Sequence, residues 1–288
     1  MIRWSLLALP FLLLQNPTAL AQRASCDGFD LDVTQQTGFS YEPSRVTDTV
    51  ITLQIRARDS ALDAACERVD VSLSIENGTA ANPELLANGQ SLLADWERSG
   101  ELRRTGSDWQ VQNQAVRQLV SGDTLSFTFY RLAAGQFVVP GSYGHTLRIR
   151  AGDRETTLPI LTQVEAALRF EGESAGGHQA IDLGDVGNGG SGQSDFFYRT
   201  NGAVAVTLVS DNRGRLIHER GEAFGLIPYQ ARISGQPVDL SSAAGSTIDL
   251  PYQSGDIQTG RLEVEVAPAE AHYAGRYSDV ITMSFIPF

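Results

Sequence analysis

The chain contains no lysine, only two cysteines and, after its first residues, no long apolar run. All 22 basic residues are arginine, and 34 acidic residues bring the formal net charge to −12. A negative charge argues against a nucleic-acid partner, because phosphate backbones attract basic surfaces. Beyond the N-terminal segment, no apolar stretch reaches the roughly 20 residues that a membrane-spanning helix needs, so no transmembrane span is predicted.

Signatures of catalysis and metal binding are also missing. The four histidines have neither the spacing of a metal-ligand pair nor a nearby cysteine; they are His145, His178, His218 and His272. No Gly-x-Ser-x-Gly sequence offers a hydrolase nucleophile. We therefore predict that the protein is not an enzyme and uses no cofactor or metal.

The first residues have the form of a secretory signal peptide. A positive charge at Arg3 is followed by an apolar run over residues 4–14 and by the small-x-small sequence of residues 19–21. This order predicts a signal peptide over residues 1–21, cleaved after Ala21. A secreted chain passes through an oxidising compartment, so a disulfide between Cys26 and Cys66 is predicted; two free thiols are the alternative.

Most of the remaining chain alternates between apolar and polar residues, as strands with one buried face do. Such runs recur with turn residues between them, at residues 29–33, 69–75, 125–129, 204–208 and 262–266. This pattern predicts an all-β protein. The order of the runs repeats, which predicts two related β-sandwiches in tandem, over residues 22–164 and 165–288. Residues 82–120 break the pattern and are compatible with a short helix or a long loop.

The last strand-like run has an earlier counterpart. Ile281, Met283 and Phe285 share one face of a run that covers residues 277–288. A similar run starts at residues 141–143 and is followed by a further strand over residues 156–164, where Pro159 suggests an edge position. The final run has no such successor. We therefore expect the second sandwich to lack its last strand and to borrow one. Two alternatives remain: an ordinary strand in a complete sandwich, and a linker over residues 156–164.

Three pieces of the second half carry a family resemblance. They are Ile181-Asp182-Leu183-Gly184, then Thr200-Asn201-Gly202 leading into residues 204–208, and the ending of residues 274–285. Together they resemble the spore coat U domain family, whose members include pilus subunits of the archaic chaperone–usher pathway. The resemblance covers residues 164–288 well and the first half loosely.

The resemblance implies an immunoglobulin-like fold that is completed from outside. A periplasmic chaperone would lend a strand, and the extension of a neighbouring pilus subunit would replace it after passage through an usher. The chain would then travel through the periplasm to a fimbria at the cell surface. The residues expected to line the donor-strand groove and contact the chaperone are Tyr277, Ile281, Met283 and Phe285.

The N-terminus and the irregular region suggest a position and a role. Only residues 22–25 would precede Cys26 after cleavage, too few to serve as a donated strand. We therefore expect a tip subunit whose first sandwich could carry an adhesive, receptor-binding surface. Exposed tryptophans on loops can serve such a surface, which makes Trp96 and Trp109 candidates, although core packing is the alternative. The competing function is a free-standing secreted ligand- or carbohydrate-binding protein.

Overall fold

The computed structural model describes residues 25–59, 62–76, 83–253, 257–268 and 273–288. The signal peptide predicted for residues 1–21 and His272 lie outside the described residues. No helix among the described residues is long and apolar enough to cross a membrane.

The first half forms twelve strands and one α-helix within the described residues. The strands are β1 (Leu31–Gln35), β2 (Ser40–Tyr41), β3 (Thr49–Ala57), β4 (Val71–Ile75), β5 (Glu84–Ala87), β6 (Gln90–Leu93), β7 (Asp95–Trp96), β8 (Leu102–Thr105), β9 (Asp108–Val111), β10 (Thr124–Leu132), β11 (Gly141–Ala151) and β12 (Arg154–Val164). The helix is α1 (Asn113–Val120), and a 3-10 turn covers Ala64–Arg68.

The second half is built from strands and short 3-10 turns. The strands are β13 (Leu168–Phe170), β14 (Gly190–Thr200), β15 (Val204–Ser210), β16 (Arg215–His218), β17 (Leu226–Pro228), β18 (Gln230–Ile233), β19 (Gln236–Val238), β20 (Ser246–Leu250), β21 (Gln258–Val266), β22 (Tyr277–Ser278) and β23 (Ile281–Pro287). The 3-10 turns are Gly172–Gly176, Val186–Asn188 and Glu222–Phe224. The all-β prediction is confirmed.

Two sheets form an immunoglobulin-like β-sandwich in the first half. One sheet has the order β1-β3-β10-β7, and the other has the order β2-β12-β11-β4-β9-β8, with β5 and β6 attached to β11. Alternate residues of each strand point into a common core, so Ile51, Leu53 and Ile55 of β3 are fully buried. The predicted strand at residues 156–164 is confirmed as part of β12.

The second sandwich has a separate core. Its sheets have the orders β13-β14-β21-β18-β19 and β20-β15-β23, and a small sheet β17-β16-β22 packs beside them. The core combines Val206 and Leu208 of β15 with Ile233, Leu262 and Val264 of the facing sheet. Because no buried residue belongs to both main cores, each sandwich has its own apolar interior.

The irregular region of residues 82–120 belongs to the first sandwich. It contains a short helix, α1, which agrees with one of the two expectations, and also five short strands, β5 to β9, that the sequence did not indicate. Ala115, Val116 and Leu119 of α1 are buried in the first core. The spacing of these three residues places them on one helical face, which explains why a helix forms at this position.

A buried asparagine joins the two halves. The Asn201 side chain is fully buried; its Oδ1 accepts a hydrogen bond from the Ala167 amide at 2.7 Å. Its Nδ2 donates to the Val138 and Glu165 carbonyls at 2.9 Å each. One carboxamide therefore satisfies backbone groups from the loop before β11 and from the segment after β12, as a buried amide must.

The predicted disulfide is present. Cys26 and Cys66 are bonded, with a Cα–Cα distance of 5.0 Å and a separation of 40 residues along the chain. Cys66 lies in the 3-10 turn Ala64–Arg68 and is buried in the first core. The bond therefore attaches the segment that precedes β1 to the body of the first sandwich.

Replacing both Cys26 and Cys66 by serine should lower the free energy of unfolding of the first sandwich by about 3–4 kcal/mol, because a closed loop of this size restricts the unfolded chain. Urea unfolding can be followed by tryptophan fluorescence, since Trp96 and Trp109 lie in this sandwich. The same stability in the bonded and serine-substituted chains would contradict the expectation.

Acid should weaken the first sandwich through His145. Its Nδ1 lies 3.0 Å from the Glu84 carbonyl and its Nε2 lies 3.3 Å from the Tyr130 hydroxyl. Burial lowers the pKa of His145, partly opposed by the hydrogen bond to Glu84. The unfolded chain therefore binds more protons, and the free energy of unfolding should decrease as the pH falls through about 6.5.

The measurement is urea unfolding, followed by tryptophan fluorescence, at pH 7.5, 6.5 and 5.5. His145→Gln should flatten the pH dependence. His178→Gln is the matched control, because His178 is exposed and lies outside the first sandwich. An equal loss of stability at low pH in the parent chain and in His145→Gln would rule out this role for His145.

Candidate functional site

The strand β23 lies at the edge of its sheet. It pairs in antiparallel register with β15, so that Met283 lies opposite Leu208 and Phe285 lies opposite Val206. No strand of the described residues pairs with the other edge of β23. This edge is the candidate functional site.

The unpaired backbone groups of β23 can be assigned. The Phe288 amide donates to the Ala203 carbonyl at 2.9 Å, and the Asp211 amide donates to the Val280 carbonyl at 3.0 Å. In an antiparallel pair, hydrogen-bonded and non-hydrogen-bonded residues alternate. The even-numbered residues of β23 therefore bond to β15. The odd-numbered residues direct their N–H and C=O groups to the open edge, except Pro287, which has no N–H.

The same odd-numbered residues carry the inward side chains. Ile281, Met283 and Phe285 pack against the second core but remain only partly buried, whereas Thr282 and Ser284 are exposed. The predicted alternation of this strand is therefore confirmed. Open backbone groups and incompletely covered apolar side chains coincide along one edge.

The opposite wall of this groove comes from the facing sheet. The Phe285 ring lies 4.9 Å from the Phe170 ring and 5.3 Å from the Phe196 ring, both in edge-to-face geometry. Phe170 belongs to β13, which is itself an edge strand. Two sheet edges therefore approach each other with no described strand between them. We call this feature the edge groove; its partly buried apolar lining is Leu168, Phe170, Ile181, Leu183, Ile281, Met283 and Phe285.

The segment around Ile181 forms part of this wall without being a strand. It runs beside the start of β14, where a Cβ on Gly192 would lie 2.5 Å from the Cγ2 atom of Ile181. Glycine at residue 192 thus permits the close approach. Ile181-Asp182-Leu183-Gly184, one of the pieces that carry the family resemblance, forms no strand in the structure. The segment lies between the 3-10 turns Gly172–Gly176 and Val186–Asn188.

The first sandwich provides an internal comparison. Strand β11 pairs with β4 as β23 pairs with β15, with Ile149 opposite Leu73 and Leu147 opposite Ile75. However, β12 covers the other edge of β11 along all of its residues. Leu147 and Ile149 are at most 1% exposed. The covering strand accounts for the difference between these buried residues and the partly buried residues of β23.

The edge of β12 is in turn protected. The Gln35 carboxamide donates to the Leu161 carbonyl at 2.9 Å and accepts from the Leu161 amide at 3.0 Å. The end of β12 pairs with β2 in parallel. Pro159 lies opposite Thr146 of β11 and outside this parallel pairing, in agreement with the predicted edge position.

Tyr277 does not belong with the other predicted groove residues. The sequence predicts one strand over residues 277–288, but the structure divides it into β22 and β23. Tyr277 lies in β22, which pairs with β16, and its ring meets His218 at 5.0 Å. The prediction of a continuous strand is therefore wrong, and Tyr277 packs with the small sheet.

Asp279 causes this division. Its carboxylate accepts hydrogen bonds from the Ser210 hydroxyl and the Tyr229 hydroxyl at 2.6 Å each, and from the Asn212 and Val280 amides at 3.1 and 2.7 Å. Burial, followed by the bond to Asp279, raises the pKa of Tyr229. These four bonds hold the chain at the bend and fix where β23 begins.

The two tryptophans have different surroundings. Trp109 is fully buried and packs edge-to-face on Phe129 at 4.9 Å. The structure therefore favours core packing for Trp109 and corrects the interpretation of its ring as an exposed adhesive surface, because that surface would require solvent access. Trp96 is partly buried, 6.3 Å from Trp109, and lines a cavity.

Several groove residues escaped the sequence reasoning. Leu168, Phe170 and Phe196 form the wall opposite β23, yet they lie far from it in sequence. The alternation of Leu168 and Phe170 around Arg169 was a usable signal for a short strand. No local sequence pattern predicted that this short strand would lie opposite β23. Among the described residues, no cluster of His, Cys, Asp and Glu could hold a metal ion.

Comparisons with known proteins give low similarity. No protein-family model matches the chain, and no curated protein matches it by sequence. A chain of the CsuC–CsuE chaperone–tip adhesion subunit pre-assembly complex, from archaic chaperone-usher Csu pili of Acinetobacter baumannii, is 14% identical over 89% of this chain and 100% of that chain, with a TM-score of 0.44.

Two further solved structures come from fimbriae. A chaperone–tip adhesin complex of CFA/I fimbriae biogenesis is 14% identical over 91% of this chain and 84% of that chain, with a TM-score of 0.32. AggA, the major subunit of aggregative adherence fimbriae type I from Escherichia coli, is 15% identical over 49% of this chain and 98% of that chain, with a TM-score of 0.36. At these values the similarity assigns neither a function nor a partner to this chain.

Substituting Asp279 by asparagine should loosen the start of β23. Asparagine keeps one carbonyl acceptor, but its NH₂ group would face the hydroxyl and amide donors that the carboxylate now accepts from. Each hydrogen bond to a charged group contributes roughly 1.5–3 kcal/mol. We expect amide hydrogen exchange of Asn212 and Val280 to become about 30-fold faster, a loss of about 2 kcal/mol.

Mass spectrometry of peptides that contain residues 208–213 and 278–284 measures this change. Asp239→Asn is the matched control, because exposed Asp239 caps only the Ser241 amide of its own turn. Unchanged exchange in Asp279→Asn, or the same increase in Asp239→Asn, would show that Asp279 does not fix the bend.

Proposed function

We propose that this chain is a strand-accepting subunit of a secreted surface fibre. A periplasmic chaperone would first fill the edge groove, and a neighbouring subunit delivered at an usher would then replace it. The observation that carries the proposal is the open edge of β23, where unpaired backbone groups and partly exposed apolar side chains coincide. An added strand satisfies both at once.

The energy available in the groove is adequate for binding. Completing the burial of Ile281, Met283 and Phe285 contributes about 1 kcal/mol for each half-buried side chain. Each new ladder hydrogen bond adds roughly 0.5–1.5 kcal/mol. A charged or polar strand would gain only the hydrogen-bond contribution. A suitable donor strand therefore carries apolar residues at alternate positions.

The domain organisation proposed here follows the two cores. Residues 22–164 form the first domain and residues 165–288 form the second, with the boundary at the Glu165 carbonyl that Asn201 binds. The first domain completes its own sandwich with β12, so it needs no partner strand. We propose that it is the distal, adhesive domain of a tip subunit, exported through the periplasm and displayed at the cell surface.

An added strand tests the proposal. We would extend the chain after Phe288 with a short turn and a strand that carries valine and isoleucine at alternate, inward positions. The control carries aspartate at those positions. Met283 is one of two methionines in the chain, the other being Met1, so its oxidation by hydrogen peroxide can be followed by mass spectrometry.

The apolar strand should protect Met283 about 10-fold against oxidation and should make the chain monomeric in light scattering. The parent chain and the aspartate control should oxidise rapidly and should aggregate. A parent chain that is a stable monomer with Met283 already protected would overturn strand acceptance. That result would support the competing function of a free-standing secreted ligand-binding protein.

A further inference from the structure

A cavity of about 880 Å³ opens beside β6, β7 and β8 of the first sandwich. Its size falls within the range of pockets that hold small ligands, roughly 300–1,000 Å³. The lining residues used below are Glu84, Leu93, Asp95, Trp96 and three arginines, Arg98, Arg103 and Arg104. The cavity is in the first sandwich, away from the edge groove residues in sequence.

The three arginines are free to bind a ligand. Arg98, Arg103 and Arg104 are exposed, and none of their side chains forms a hydrogen bond or ion pair with another described residue. Several other arginines of this sandwich are neutralised by nearby acids: Arg56 pairs with Asp32 at 2.6 Å, and Arg131 pairs with Glu97 at 2.7 Å. Three arginines with unpaired side chains therefore line one cavity in a chain whose net charge is −12.

The guanidinium group determines which ligand charge fits. It presents several N–H donors in one plane and matches a carboxylate or sulfate through paired hydrogen bonds. Glu84 and Asp95 also line the cavity and can accept hydrogen bonds. A ligand that offers one anionic group and several hydroxyls would therefore satisfy both kinds of side chain.

Trp96 and Leu93 supply an apolar surface in the same cavity. Leu93 is 57% exposed. Trp96 is held in place by its contact with buried Trp109, with ring centroids 6.3 Å apart. Its buried Nε1 has no hydrogen-bond partner. The apolar face of a ring held in this way suits the C–H face of a sugar.

We propose that this cavity binds an anionic saccharide. The carboxylate or sulfate would be held by Arg98 and by Arg104, which lies on the same face of β8 as buried Leu102. The hydroxyls of the ligand would donate to Glu84 and Asp95. The apolar face of the sugar would lie against Trp96. This inference rests on the proposal that the first sandwich carries the adhesive surface, and it is independent of strand acceptance by the second.

Isothermal titration of the full chain tests the proposal with three probes. They are 3′-sialyllactose, which carries a carboxylate, a sulfated heparin hexasaccharide, and neutral lactose. At least one anionic probe should bind with a Kd below about 1 mM, and lactose should bind at least 10-fold more weakly. Binding of 3′-sialyllactose would show that a carboxylate is sufficient, whereas binding of the heparin hexasaccharide alone would show that sulfate groups or a higher charge are required.

Paired variants then locate the binding. Arg98→Ala/Arg104→Ala should weaken binding of the anionic probe at least 10-fold. Arg68→Ala/Arg117→Ala removes the same charge from two exposed arginines that do not line the cavity, and should change the Kd less than 2-fold. Near-ultraviolet circular dichroism verifies that each variant keeps the parent fold.

Three results would overturn the proposal: no binding of either anionic probe, equal binding of lactose, or equal weakening by both pairs of substitutions. The last result would indicate a general effect of surface charge. Met283 oxidation reports on the edge groove alone. If neither anionic probe binds but the added strand protects Met283 as expected, the saccharide site is rejected and the proposal of strand acceptance is unaffected.

Discussion

The second sandwich is governed by one constraint: the open edge of β23 has to be covered. Backbone N–H and C=O groups that have no partner near an apolar surface raise the free energy of the folded chain. In β23 the odd-numbered residues direct both these groups and their apolar side chains towards the edge groove. The first sandwich meets the same constraint with its own strand, since β12 pairs with β11 and Gln35 binds the backbone of β12.

The two sandwiches differ in how their cores are closed. The first has a closed core, a disulfide that attaches its N-terminal segment, and an arginine-lined cavity at its surface. The second has a core that is continuous with the edge groove. Asn201 connects them by binding backbone groups on both sides of the boundary. Under the two proposals, ligand binding and strand acceptance would use separate surfaces of one chain.

Much of the architecture could be predicted because it depends on local patterns. Alternation identified the inward residues of β23, and the run of residues 156–164 identified most of β12. The disulfide was predicted because the chain has two cysteines and a predicted route through an oxidising compartment. Predictions were poorer where local pattern and tertiary contacts disagreed. Residues 277–288 alternate like one strand, but Asp279 divides it. Three of the four hydrogen bonds to its carboxylate come from residues distant in sequence, Ser210, Asn212 and Tyr229.

The sequence by itself determined the fold class, the disulfide and the face of β23 that carries apolar side chains, because strand periodicity and covalent chemistry are properties of neighbouring residues and of composition. Only the tertiary structure decided that Phe170 and Phe196 face Phe285, that Trp109 is buried, and that three unpaired arginines surround one cavity. These features depend on which strands meet across a core, and that pairing brings together residues with no shared local signal.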